Sequence, residues 1–274
     1  MNKTTCFRLG FAVCSVLTAI LQCLAVLLSF EDGTNYFENG ALLPILATVF
    51  AILGGILGTL SAFTADPTAL SKTPFSKSVS FSPLTVGFAA AAILLLLQGS
   101  EPFPFVTAVL LLLATLYAIL VEFPKLRETV LPTLVGMVAV LALIAVNAYY
   151  YFDMTVEMNA PIKVTTQLGL LCTMIALTGE LRYLLGKPMP RLFVALSAWV
   201  VSIGALSALS VPLAYLVGKI DRIDYATGGL LVLCAVLTAL LRLKALLCTT
   251  ASDDPSASPI TDETTDESNR KDPT

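Results

Sequence analysis

Histidine is absent from this 274-residue chain, and that absence removes much of the reaction chemistry available to a polypeptide. Without imidazole, neither a Ser–His pair nor a His-containing metal site can be assembled. No pair of aspartates falls in the middle of an apolar run, so peptidase chemistry has no support. The six cysteines (Cys6, Cys14, Cys23, Cys172, Cys234, Cys248) contain no CxxC spacing. They lie within or beside apolar runs, so neither a disulfide framework nor a metal centre is expected. No GxxxxGK[ST] loop is present, and an ATP-driven role would need a partner chain. We expect no enzyme activity, no cofactor and no metal.

The remaining polar residues are few. Glu122, Glu180, Arg182 and Arg242 stand at the ends of apolar runs, and Lys163 stands at the opposite kind of end, where its stem can snorkel. On this reading no charge lies deep in hydrocarbon. The richest neutral stretch holds Thr165, Thr166, Gln167, Thr173 and Thr178; at about 100° per residue, Thr166, Gln167 and Thr173 share one broad face that should point inward. Gln22 and Asn147 are further amides that seek partners in a medium without water. Interhelical hydrogen bonding accounts for these groups without a ligand; a polar lining for a substrate path is the sharper alternative.

The elements that position them follow from composition. Hydrophobic residues make up 57% of the chain and charged ones 13%, and the mean hydropathy is +0.86. A soluble domain carries roughly twice that charge. The chain therefore reads as all-α, a polytopic transmembrane bundle of about eight spanning helices. Apolar segments near 7–30, 41–64, 83–99, 104–122, 130–150, 161–185, 191–216 and 227–247 are each about long enough to span. The first, from Leu9 to Phe30, exceeds a signal-peptide core and lacks a small-residue cleavage site, so it reads as a retained helix. Residues 249–274 are acidic, polar and Pro-containing, the composition of a disordered tail.

Lysine and arginine set the orientation. With a cytoplasmic N-terminus, the inner positions collect Lys3, Arg8, Lys72, Lys77, Lys125, Arg127, Arg182, Lys187, Arg191, Arg242, Lys244, Arg270 and Lys271, against Lys163, Lys219 and Arg222 outside. The positive-inside rule then places both termini in the cytoplasm of a cell-membrane protein. The net charge of −3 and the lack of a basic stripe exclude nucleic acid as a partner.

Small residues mark close helix approaches. Gly54, Gly58 and Ala62 form one ridge and Gly204 with Ala208 another. The two halves can be overlaid at an offset of roughly 120 residues, with Phe37–Ala41 resembling Val156–Ala160, the pattern of a parallel 4+4 duplication. Between the sixth and seventh segments, Glu180, Arg182, Lys187 and Arg191 form a stiff, positive loop suited to headgroup contact or to docking a cytoplasmic partner. The loop 65–82 could face the same surface. Membrane lipid is the expected partner, with a further protein or a second copy as candidates. These features describe a non-catalytic membrane scaffold, sensor or accessory subunit, or alternatively a permease for a small or lipophilic solute.

Overall fold

The computed structural model describes residues 3–31, 35–65, 70, 73–75, 81–97 and 102–247. Among these residues ten helices follow in order: α1 (Lys3–Ser29), α2 (Leu42–Thr64), α3 (Pro83–Leu97), α4 (Pro102–Leu120), α5 (Pro124–Arg127), α6 (Leu131–Phe152), α7 (Pro161–Leu184), α8 (Pro190–Gly204), α9 (Ser210–Leu216) and α10 (Ile223–Leu247). The segment 249–274, Cys248, Lys72 and Lys77 lie outside the described residues.

Proline starts the helices. Helices α3, α4, α5, α7 and α8 begin on one, and Pro132 is the second residue of α6; the missing N–H is unpaired in a first turn anyway, and the fixed φ suits a helix. Glycine ends two of them. Gly186 (φ 70°) and Gly218 (φ 73°) take the left-handed conformation after α7 and α9, so that Lys187 and Lys219 N–H groups reach back to the Arg182 and Ala214 carbonyls at 2.9 and 2.8 Å.

The burial pattern is inverted relative to a water-soluble bundle. On α2, Ile45, Val49, Ile52 and Ile56 face outward while Ala47, Ala51, Gly54, Gly55 and Gly58 face inward. On α6, Leu134, Met137, Leu141 and Ile144 form the same outward stripe. Large apolar side chains outside and small ones inside suit a hydrocarbon solvent, where close backbone packing holds helices together. Six helices (α1, α2, α4, α6, α7, α10) are long and apolar enough to cross a membrane; α3 and α8 are apolar but shorter.

Contacts define two ends. Thr4 Oγ1 donates to the Thr64 carbonyl at 3.2 Å, and Arg191 Nη2 to the Ala65 carbonyl at 3.0 Å, so the N-terminus of α1 shares a near end with the end of α2 and the start of α8. At the far end, Lys219 Nζ donates to the Phe30 carbonyl at 3.1 Å. Helices α8 and α10 form the centre: α8 packs against α1, α2, α7 and α10, and α10 against α3, α7, α8 and α9.

One expectation changes here. The segment 191–216 is not one helix: it breaks at residues 205–209 into α8 and α9. Pro212 has no N–H to return to the Ala208 carbonyl, and the Ser210 hydroxyl donates back to the Leu206 carbonyl at 2.5 Å. Gly204 and Ala208 are therefore not a ridge on a continuous helix, since Ala208 sits in the intervening turn. The packing repeats only in part under the 4+4 offset: α1–α2 and α3–α4 have counterparts in α6–α7 and α8–α10, whereas α4–α6 and α7–α8 have none, since α10–α1 and α2–α3 are not among the substantial helix contacts of the described residues. The two similar loops do meet: the Tyr36 hydroxyl lies 2.6 Å from Glu157 Oε2 and 2.5 Å from Asn159 Oδ1.

Candidate functional site

Charged side chains do enter the bundle. Arg242, one and a half turns before the end of α10, turns inward; its Nη2 donates to Glu122 Oε1 at 2.6 Å and its Nε to Glu180 Oε1 at 3.0 Å. The three side chains come from α10, the turn after α4, and α7, and their exposures are only 9%, 5% and 8%. Tyr117 of α4 is buried beside them. The Phe75 ring lies against two guanidiniums, those of Arg242 and Arg127, each 4.9 Å from its centroid. Burial, and then the nearby Arg242 charge, lower the Arg127 pKa from its ordinary value.

This network borders a small, mainly apolar cavity between α3, α7, α8 and α10, of about 30 Å³, room for roughly two waters. Its polar lining is Thr173, Glu180, Ser197, Thr238 and Arg242. Thr238 is already engaged: its hydroxyl accepts the Leu84 N–H at 3.1 Å, anchoring the start of α3, and donates to the Cys234 carbonyl at 2.8 Å. Ser197 is fully buried, and its hydroxyl, like Glu122 Oε2, has no hydrogen-bond partner among the described residues. An unpaired hydroxyl in a buried position costs free energy.

The far end carries a second cluster. Arg222 bonds Asp153 Oδ2 at 3.1 Å and Asp224 Oδ2 at 2.5 Å and also meets the Thr155 hydroxyl. Burial alone would raise the Asp153 carboxyl; hydrogen bonds from Thr155 and Tyr225, with the Arg222 charge, outweigh it and hold the carboxyl below its ordinary value. The Asp224 carboxylate raises the Arg222 guanidinium in turn, against the opposing effect of burial.

The structure redistributes the residues singled out by sequence. Lys163 does not snorkel: it is fully buried, and its ammonium donates to the Asp153 and Val156 carbonyls at 2.6 and 3.1 Å. Glu180 leaves the proposed docking loop for the interior; Lys187 is exposed, Arg182 and Arg191 are half-buried. Thr166 and Thr173 point into the bundle, but Gln167, 100° around from Thr166, turns toward α6 and donates to the Asn147 carbonyl at 3.4 Å. Asn147 donates to its own helix at the Leu143 carbonyl, 3.1 Å away. Gln22 is buried on α1, with Oε1 unpaired among the described residues. On α2, a β-carbon at Gly54 would stand 2.8 Å from Ser202 Oγ, and one at Gly58 would stand 2.4 Å from the Ala198 Cβ; both glycines face α8. A β-carbon at Gly55, which was not singled out, would stand 2.5 Å from the Trp199 ring. Ala62 is buried on the same helix, and a β-carbon at Gly204 would stand 2.6 Å from a Val236 methyl on α10.

The network itself was missed, although Glu122, Glu180 and Arg242 were each noted as charges at inner helix ends. The available signal was their complement: two acids and one base on three segments at one end, each within an apolar surround that favours pairing over exposure. No family model matches the chain, and no curated protein or solved structure shows significant similarity to it.

Proposed function

We propose that this chain is a permease of the cell membrane that crosses the bilayer eight times, with both termini cytoplasmic, and that moves a proton or small cation by way of the Glu122–Arg242–Glu180 network. α3 and the broken α8–α9 pair supply the two crossings beyond the six long helices. Orientation rests on the cations: the near end holds Lys3, Arg8, Lys125, Arg127, Arg182, Lys187, Arg191, Arg242 and Lys244. The three far-end cations are all engaged by carbonyls or carboxylates. The observation that carries the transport reading is the buried triad itself. Replacing a buried ion network by apolar residues is often neutral or stabilising, so a passive bundle gains little from one. Within a membrane such groups belong by default to ion or proton pathways. Arg127 shares the Phe75 ring with Arg242 and interacts electrostatically with both carboxylates, so two acids face two bases at this end, and a cavity of two waters suits a proton or small cation better than an organic solute. A helix broken within the bundle fits the same reading.

The test is flux into liposomes reconstituted with the full chain. Under an imposed proton or sodium gradient, the wild type should exceed empty liposomes, and Glu122→Gln and Glu180→Gln should lose the difference while staying folded. Flux equal to empty liposomes under both gradients would overturn the proposal. A second reading, a non-enzymatic scaffold, sensor or accessory subunit, is favoured by the tightness of the remaining interior, where Gly54, Gly55 and Gly58 leave no room for a β-carbon against Ser202, Trp199 and Ala198 of α8.

A further inference from the structure

A separate feature opens sideways from the bundle. Helices α1 and α10 are not among the substantially packed pairs of the described residues, although both touch α8. Between them lies an apolar groove of about 250 Å³, walled by Ala12 and Val16 of α1 and by Val236 and Leu240 of α10, and floored by Ala205 and Ala208 of the helix break. Ser15 also lines the groove, and its hydroxyl lies 3.4 Å from the Ser202 hydroxyl. The break creates the depth: where α8 ends, small side chains replace a continuous ridge. A second transmembrane helix does not fit, because a cylinder about 10 Å across would occupy 250 Å³ within roughly two residues.

The groove has a charged mouth. Arg8 precedes Ala12 by four residues and Lys244 follows Leu240 by four, so each cation continues a wall of the groove by one helical turn toward the near end. Arg8 is half-buried, and its Nε has no hydrogen-bond partner among the described residues; Lys244 is exposed. An apolar slot ending in two cations is complementary to one amphiphile, an alkyl chain ending in an anion. We infer that the α1–α10 groove is a binding site for an anionic phospholipid of the inner leaflet, its acyl chain lying over Ala205 and Ala208 and its phosphate held by Arg8 and Lys244. The inference rests on the membrane placement and the orientation, and is independent of whether the triad transports.

Native mass spectrometry of the delipidated full chain tests it, titrating dioleoyl phosphatidylglycerol against dioleoyl phosphatidylcholine. One basic residue near an anionic headgroup is worth roughly fivefold in affinity and two about thirtyfold. The wild type should therefore prefer phosphatidylglycerol by about thirtyfold, and Arg8→Gln/Lys244→Gln should erase the preference. Ala12→Leu, at an exposed wall position that can accept the larger side chain, should weaken both lipids by narrowing the slot. Millimolar inorganic phosphate should not displace the lipid. Equal wild-type binding of the two lipids would overturn the inference, as would a preference that survives in the double variant. So would displacement by phosphate alone, which would mean an anion site without the groove.

Discussion

Replacing Arg242 by methionine keeps the stem and removes the charge, leaving Glu122 and Glu180 buried against each other at 5% and 8% exposure. A unit pair about 4 Å between charge centres is worth roughly 4 kcal/mol at an effective dielectric of 20; much of that is cancelled by desolvation. Removing one partner of such a network costs about 3–5 kcal/mol, because the surviving charges stay buried or must take up protons. The triple variant Glu122→Gln/Glu180→Gln/Arg242→Met removes every charge at once and should recover most of that loss. A thiol-reactive dye reports unfolding in detergent, since Cys14 is buried and Cys23, Cys172 and Cys234 are partly buried, all with free thiols. The expected order of melting temperatures is wild type close to the triple variant, with Arg242→Met clearly below both. Equal stability of Arg242→Met and wild type would show that the three side chains are not paired inside the protein, and the reasoning would fail.

Three further outcomes follow from the packing and the far end. Gly55→Leu and Gly58→Leu should each cost about 1–3 kcal/mol or prevent folding, because Trp199 and Ala198 already occupy the space, while Leu57→Ile should be nearly silent; thermal unfolding in detergent reads all three. Trp199 is the single tryptophan and its indole donates to Thr59 Oγ1 at 3.1 Å, so Thr59→Val should shift the intrinsic emission with little change in stability, and unchanged emission would place the ring elsewhere. The depressed Asp153 carboxyl contributes stability that is fully present above its ordinary value of 3.8 and lost as pH falls through its lower folded value. Melting should therefore weaken below about pH 3.8, and Asp153→Asn should remove part of that acid sensitivity.

Helix existence was legible in the sequence because a bilayer demands long apolar runs, and most expected segments coincide with helices to within a few residues. The exceptions have local causes. The break at residues 205–209 hides inside an apolar run, and Pro212 alone does not reveal it, because prolines within spanning helices are often accommodated. The fate of charges at helix ends was the larger gap. Lys163 and Arg242 look alike in sequence, one charge at the margin of an apolar segment, and a snorkelling side chain has the same signature as one turned inward. Only the partners decide: carbonyls of the turn after α6 for Lys163, and carboxylates on two other segments for Arg242. Those partners lie 62 and 120 residues from Arg242, beyond any helical periodicity. The face shared by Thr166 and Thr173 was legible for the opposite reason, since one helix fixes both.

Access to Ser197 tests most directly whether the cavity beside the triad belongs to a path rather than to a static core. In a cysteine-free background, Ser197→Cys should react with a membrane-impermeant methanethiosulfonate from the cytoplasmic side of oriented vesicles, and the rate should respond to pH or sodium in step with Glu180. A permease must open this fully buried position to water during its cycle. No reaction from either face, with the protein folded and pH and sodium varied, would mean that the cavity stays sealed and that the bundle is a passive membrane component.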